Sequence, residues 1–205
     1  ISMDSREVQV GDLYVAVPGA NAHGAQFSSA ARRAGAGAVL TDAAGAEILE
    51  REGSPLPLLI VPSVREAVGP LAAWIYGSQP EQGRQRLYAV TGTNGKTTTT
   101  YMIDGLLERL GETTGLIGTI EIRAGAEVIP STLTTPESTH VHSLLTVMRE
   151  RGITATAMEV SSHALDYHRV DGVVYDVAGF TNLTQDHLDL HAVSYTHLTL
   201  PTTPY

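Results

Sequence analysis

The chain contains no cysteine, which excludes disulfides, thiolate metal sites and cysteine nucleophiles. It is almost as poor in lysine: of 13 basic residues, 12 are arginine and Lys96 is the single lysine. The arginines form no cluster and the net charge is −9, so the sequence lacks the basic patch with which a nucleic-acid surface neutralises phosphates. Long hydrophobic runs are missing as well. The longest, residues 56–61, is interrupted by Pro57 and is far too short to span a bilayer. No signal-peptide pattern opens the chain. These absences lead us to expect a cytoplasmic protein with no nucleic-acid partner and no membrane insertion. What is present is an ordinary apolar fraction of 42% over 205 residues, enough for a packed core in one large or two modest domains. Small anionic ligands stay open, since backbone amides and one lysine can hold them locally.

Strand-like and helix-like stretches alternate. Residues 12–17 (DLYVAV) read as a strand that stops at Pro18-Gly19. A short helical stretch over 27–34 is followed by apolar runs at 38–41 and 58–61 that read as buried strands. Residues 65–76 are amphipathic, with Val68, Leu71, Ala72 and Ile75 on one face. The polar stretch 77–86 (GSQPEQGRQR) is the linker candidate. A second series follows. A strand at 87–90 runs into a Gly-rich turn, and a helix over 97–110 keeps Ile103, Leu106, Leu107 and Leu110 at helical spacing, with Gly111 just past its end. A further helix over 138–151 sets Val141, Leu144, Leu145 and Met148 on one face, and strands are expected at 155–160 and 173–180. This alternation predicts an α/β protein: a small N-terminal α/β domain, then a mainly parallel sheet covered by helices.

Residues 91–97 (TGTNGKT) lie between a predicted strand and a predicted helix. Small residues there let backbone N–H groups curl around an anion, helped by the helix N-terminus. Gly92, Thr93, Asn94, Gly95, Lys96, Thr97 and Thr98 are the candidate ATP-binding residues. Lys96 can reach phosphate oxygens and the Thr97 hydroxyl can ligate Mg²⁺. The usual pattern places Gly where this chain has Val90, so the loop is a shortened variant. The plainer reading is a Gly-rich turn with an exposed lysine.

The stretch TGTNGKTTT resembles the ATP loop of the Mur ligase and folylpolyglutamate synthetase superfamily. With TLTTPE at 132–137, EVSSHAL at 159–165, FTNLTQDHLDLH at 180–191, and Asp4-Ser5-Arg6 followed by GDLYVAVPG, the resemblance narrows to MurE-type Mur ligases and covers roughly residues 1–191. It implies a UDP-substrate-binding domain over 1–80 and part of an ATP-binding domain over 84–191. It also implies an ATP- and Mg²⁺-dependent ligase, monomeric when complete. That enzyme joins a diamino acid, meso-diaminopimelate before L-lysine, to UDP-N-acetylmuramoyl-L-alanyl-D-glutamate in peptidoglycan synthesis. In that reaction the substrate carboxylate attacks the γ-phosphate, and the amine then displaces phosphate from the acyl phosphate. Lys96, Glu159 and His187 are the expected catalytic residues, with Thr97, Glu159 and His187 as metal ligands.

Glu159 falls at the C-terminal end of a predicted strand, the sheet edge the phosphate loop shares, where a carboxylate suits Mg²⁺; a solvated strand-end glutamate is the bland alternative. His187 rests on the resemblance, because imidazole is an unusual Mg²⁺ ligand. Thr134 and Thr135 are implied to bind the muramoyl-peptide part; capping of the next helix is the alternative. Ser161 and Arg169 are implied to hold the D-glutamyl end, for which a guanidinium is suited. Tyr167, Gln in some relatives, is outside this set, and His163 and His168 read as structural. Met3, Ser5, Asn21 and Ala22 match the stretches that approach uridine and the nucleotide sugar.

Residues 193–205 contain no Gly, Ala or charged residue but four Thr, two Pro and two Tyr, so 192–205 is expected to be a non-native tail. The resemblance also implies about twenty further residues before Ile1, a lysine after the DHLD segment that helps bind magnesium, and a C-terminal domain for the amino acid. The chain as written is expected to be inactive. Rival readings are another ligase of the superfamily, a non-catalytic P-loop nucleotide-binding protein, and a UDP-sugar-binding protein.

Overall fold

The computed structural model describes residues 1–184, so His187 and the 192–205 stretch lie outside the described residues. The first half holds three parallel strands in the order β1 (Leu13–Val15), β2 (Ala38–Thr41), β3 (Leu58–Ile60). Its helices are α1 (Ser28–Ala34), α2 (Ala43–Arg51) and α3 (Val64–Tyr76). Local chemistry sets their ends. Asp42 accepts from Gly45 N at 2.8 Å at the start of α2, and Ser63 accepts from Glu66 N at 3.4 Å at the start of α3. Two apolar clusters close on the sheet, one around Tyr14, Val39 and Leu49, the other around Val15, Leu40, Val64 and Val68.

The second half is a six-stranded sheet with β4 (Arg86–Thr91), β5 (Thr114–Ile117), β6 (Glu121–Ala124), β7 (Glu127–Pro130), β8 (Ala155–Glu159) and β9 (Val177–Phe180). The strand order is β7-β6-β5-β8-β4-β9. Its centre is parallel, as expected, while β5-β6-β7 form an antiparallel meander that the sequence reading omits. The helices are α4 (Lys96–Arg109), α5 (Ser138–Glu150) and the short α6 (Ser162–Asp166). Leu87, Ile117, Leu145, Met148 and Met158 form the core here. Burying each such side chain stabilises by roughly 1.5–3 kcal/mol.

Two expectations about burial are corrected. Strand β3 is not buried: Leu58, Leu59 and Ile60 are all exposed, because β3 is an edge strand without a covering layer among the described residues. On α4, Leu107 is buried, but Leu106 and Leu110 are 59% and 70% exposed, and the inward face is instead Thr100, Asp104 and Leu107. Asp104 is tolerated there because Arg123 on β6 reaches it with its guanidinium. Helix α2 and strands β5 to β7 are absent from the sequence reading, since runs this short carry little periodicity.

The polar stretch 77–86 is tied down. Ser78 Oγ meets His142 Nδ1 at 2.7 Å, and Gln85 Nε2 donates to Leu145 O at 3.0 Å. Arg84 pairs with Asp176 at 2.8 Å, Thr146 Oγ1 donates to Tyr76 O at 3.1 Å, and α3 packs against α5.

Candidate active site

Strands β4, β8 and β9 end side by side, with Val90 opposite Glu159 and Thr91 opposite Phe180. Everything that follows β4 and β9 is therefore delivered to one edge of the sheet, the edge where open parallel sheets bind ligands. Strand β4 runs into residues 92–95 and α4 begins at Lys96, so the strand–turn–helix context of a phosphate loop is present. The N-cap residue of α4 is Gly95 and no side chain caps the helix. First-turn amides have no intrahelical acceptor, which is the condition under which a helix N-terminus draws an anion. Lys96 arches back over the loop, its Nζ donating to Gly92 O at 2.7 Å and Thr93 O at 2.9 Å.

Glu159 is fully buried. Its Oε2 accepts from Thr97 Oγ1 at 2.9 Å and Thr119 Oγ1 at 3.1 Å, and its Oε1 accepts from Thr119 N at 2.9 Å. Burying a carboxylate carries a desolvation penalty that a cation would relieve. The side chains around it, the Thr97 and Thr119 hydroxyls, offer oxygens, the hard ligands that suit Mg²⁺. Gly118 makes the approach possible: a Cβ there would lie 2.5 Å from Glu159 Oε1. Thr97, Thr119 and Glu159 thus fit the cation the sequence implied, although no cluster of three or more His, Asp or Glu forms among the described residues. Thr119 is absent from the sequence-derived set. Recognising β5 would have found it, because it follows that strand at the same sheet edge.

The loop that leads into α5 lies beside this edge. Thr119 Oγ1 and Thr134 Oγ1 are hydrogen-bonded at 3.1 Å, so Thr119 joins the Glu159 carboxylate to this loop. Thr135 is fully buried; its hydroxyl donates to Glu159 O at 2.9 Å and accepts from Ser161 N at 3.1 Å. Its side chain therefore frames the site. Neither threonine caps α5, whose N-cap is Glu137 without a side-chain bond. Ser161 caps α6, accepting from Ala164 N at 3.2 Å. Arg169 pairs with Glu137 at 2.8 Å and donates to Thr135 O at 3.3 Å. Tyr167 presents its ring to two guanidiniums, Arg65 at 5.0 Å and Arg169 at 5.6 Å. His168 pairs with Asp171 at 2.8 Å, in keeping with a structural role.

A separate cleft of 760 Å³ lies between the two halves. Met3, Ser5 and Ala22 line it, together with Arg6, Glu137 and His140. Asn21 is exposed on the neighbouring turn and does not line it. On one wall the Arg6 guanidinium holds the Asp4 carboxyl well down, at about 2. Tyr14, a largely buried residue of the cleft wall, donates to Gly24 O at 2.9 Å, and burial pushes its phenol up to about 12. Glu7 and His140 meet across the halves at 3.1 Å.

With this geometry in hand, the relatives are informative. The Mur ligase middle domain matches residues 90–196, and the Mur ligase family catalytic domain matches residues 1–76. The chain belongs to the Mur ligase family. Among its curated Mur ligase relatives is UDP-N-acetylmuramoyl-L-alanyl-D-glutamate--2,6-diaminopimelate ligase of Streptomyces coelicolor, 53% identical over 193 residues, covering 94% of this chain and 37% of the relative. UDP-N-acetylmuramyl-tripeptide synthetase of Leifsonia xyli subsp. xyli is 52% identical over 188 residues, covering 92% of this chain and 36% of the relative. A solved UDP-N-acetylmuramoyl-L-alanyl-D-glutamate--2,6-diaminopimelate ligase superposes with a TM-score of 0.75 at 27% identity, covering 96% of this chain and 38% of that one. MurF ligase of Thermotoga maritima in complex with ADP, TM-score 0.62 at 22% identity, shares the fold over 96% of this chain and 40% of its own. The chain thus spans little more than a third of the length of these Mur ligases. The expected resemblance to MurE-type members and the α/β fold class are both borne out.

Proposed function

We propose that this Mur ligase chain forms the UDP-substrate-binding and phosphate-binding portions of an ATP-dependent ligase. That ligase adds a diamino acid, meso-diaminopimelate before L-lysine, to UDP-N-acetylmuramoyl-L-alanyl-D-glutamate. The observation that carries this reading is the 2.9 Å bond from Thr97 on the phosphate loop to buried Glu159 on the next parallel strand. That bond sets a hydroxyl and a carboxylate together where a nucleotide's metal would sit. Two relatives whose names specify diaminopimelate, at 53% and 46% identity, support the choice of amine.

In this reading residues 1–80 form the UDP-binding domain, with Met3, Ser5 and Ala22 in the cleft and Asn21 at its margin. Residues 84–191 belong to the ATP-binding domain. Gly92 to Thr98 form the phosphate loop, and Lys96 neutralises developing charge on the transferred group. Thr97 and Glu159, with His187 from beyond the described residues, hold Mg²⁺, which supplies further charge stabilisation when bound. Thr134 orients the muramoyl-peptide arm from its contact with Thr119. Arg169, seated by Glu137 and Thr135 O, offers its guanidinium to the D-glutamyl carboxylate. The protein acts as a monomer in the cytoplasm. Among the described residues no helix is long and apolar enough to cross a membrane.

The test is ADP release by the complete gene product. Release that requires both UDP-N-acetylmuramoyl-L-alanyl-D-glutamate and meso-diaminopimelate, and that disappears in Lys96→Ala, is the expected result. Release without any amine would point instead to a nucleotide hydrolase or switch.

A further inference from the structure

Residues 181–184 are laced to the phosphate loop more tightly than a chain continuation requires. Asn182 Oδ1 accepts from Asn94 N at 3.2 Å, and its Nδ2 donates to Asn94 O at 2.9 Å. The carboxamide therefore pairs with both polar groups of one residue's backbone, as a neighbouring peptide does in a sheet. Around this pair, Thr93 N donates to Asn182 O at 2.9 Å and Thr181 Oγ1 donates to Asn94 O at 2.7 Å. Asn94 Nδ2 donates to Thr184 Oγ1 at 3.1 Å, and Thr184 N donates to Thr93 Oγ1 at 3.0 Å. Gly92 permits the close approach: it has φ +125°, and a Cβ there would collide with the Thr181 hydroxyl and Asn182 O.

This lacing assigns the loop's donors. The amides of Thr93 and Asn94 are already consumed by Asn182, so they are not available to a phosphate. What remains for an anion is the Gly95 turn and the first turn of α4. The sequence pattern, which counted Thr93 and Asn94 among the nucleotide contacts, carried no sign of this, because the partner lies 88 residues away.

We propose that Asn182 is a positioning residue for nucleotide binding. Its side-chain amide serves as a surrogate peptide that fixes residues 93–94 and so presents the amides of Gly95 to Thr98 to the phosphates. The proposal rests on the reading of residues 92–98 as an ATP site. It also ties residues 181–184 to the loop, so that phosphate binding and the placement of these four residues are coupled.

The experiment uses the full 205-residue chain and three variants, Asn182→Ala, Asn182→Asp and Lys96→Ala. Three quantities are measured: affinity for ATP and for ADP with Mg²⁺, thermal unfolding, and hydrogen exchange of the Thr93 and Asn94 amides. Asn182→Ala removes both bonds. Asn182→Asp keeps the acceptor but turns an anion toward the Asn94 carbonyl at similar volume. Asn182→Ala is expected to speed exchange at Asn94, whose acceptor it removes, and both variants to weaken ATP and ADP binding about tenfold, with the unfolding midpoint within about 3 °C of wild type. Variants that bind nucleotide as wild type does, while exchange accelerates, overturn the positioning role and leave the ATP reading standing. Unchanged exchange at Asn94 in Asn182→Ala overturns the pairing itself. A wild-type chain that binds ATP no better than Lys96→Ala overturns the ATP reading, and the proposal with it.

Discussion

Replacing Glu159 by glutamine separates folding from function at this site. The carboxylate is fully buried and accepts three hydrogen bonds, from Thr97 Oγ1, Thr119 Oγ1 and Thr119 N. Bonds to a charged acceptor are worth about 1.5–3 kcal/mol each, whereas desolvating the carboxylate costs several kcal/mol. Glutamine keeps the shape. Its Oε1 can accept from Thr119 N, and its NH₂ can donate to the two hydroxyls, which rotate to accept. Every polar atom is then satisfied with no buried charge. Glu159→Gln is therefore expected to unfold in urea at the same free energy as wild type or up to about 2 kcal/mol higher. Glu159→Ala, which strands Thr119 N and opens a cavity, is expected to lose about 2–4 kcal/mol. Binding should move the other way: in Glu159→Gln, Mg²⁺ no longer strengthens ATP binding, as titrations with and without the metal would read. A Glu159→Gln protein destabilised by more than about 2 kcal/mol would refute the reasoning, since it would mean the negative charge is itself stabilising in the folded chain.

Other consequences concern the frame. His142 is fully buried between Ser78 Oγ and Asp171 O, and burial holds its pKa below the usual 6.5. The unfolded chain then binds this proton more readily. Stability is complete above pH 6.5 and falls as pH drops from there toward the lower folded value. Subtracting the urea-derived stability of His142→Gln from that of wild type across pH 7 to 5 should isolate this slope; a flat difference would refute it. Leu145 is fully buried in the larger core, so Leu145→Ala should lower the unfolding free energy by about 2–5 kcal/mol, with a matching fall in the urea midpoint.

How far the sequence could be read depended on the range of each interaction. Features coded within a few residues were legible. The Gly-rich turn between β4 and α4, the spacing of Val141, Leu145 and Met148, and the position of Glu159 at the end of β8 all follow from local pattern. The motifs from TGTNGKT to EVSSHAL, taken in order, were enough to point to the family. Exposure was legible only in part. The apolar spacing on α4 is genuine, yet a period states which residues share a face and not whether a layer covers that face. Leu106 and Leu110 stay exposed, and Arg123, from a strand the pattern did not reveal, lets Asp104 turn inward.

What only the tertiary structure decided is who meets whom across long stretches of chain. The parallel register of β4 with β8 and β9 brings Glu159 to Thr97, 62 residues away, and Asn182 to Asn94, 88 residues away. A hydroxyl, a carboxamide and a buried carboxylate have no intrinsic preference for these partners. They acquire them because sheet packing carries the strand ends to one edge, where burial leaves each polar group obliged to find a hydrogen bond. Read alone, the sequence pointed to the strands and helices that flank the phosphate loop and to the family. The pairing of their ends, which turned Thr135 and Asn182 into parts of the frame and Thr119 into the link between loop and carboxylate, belongs to the fold.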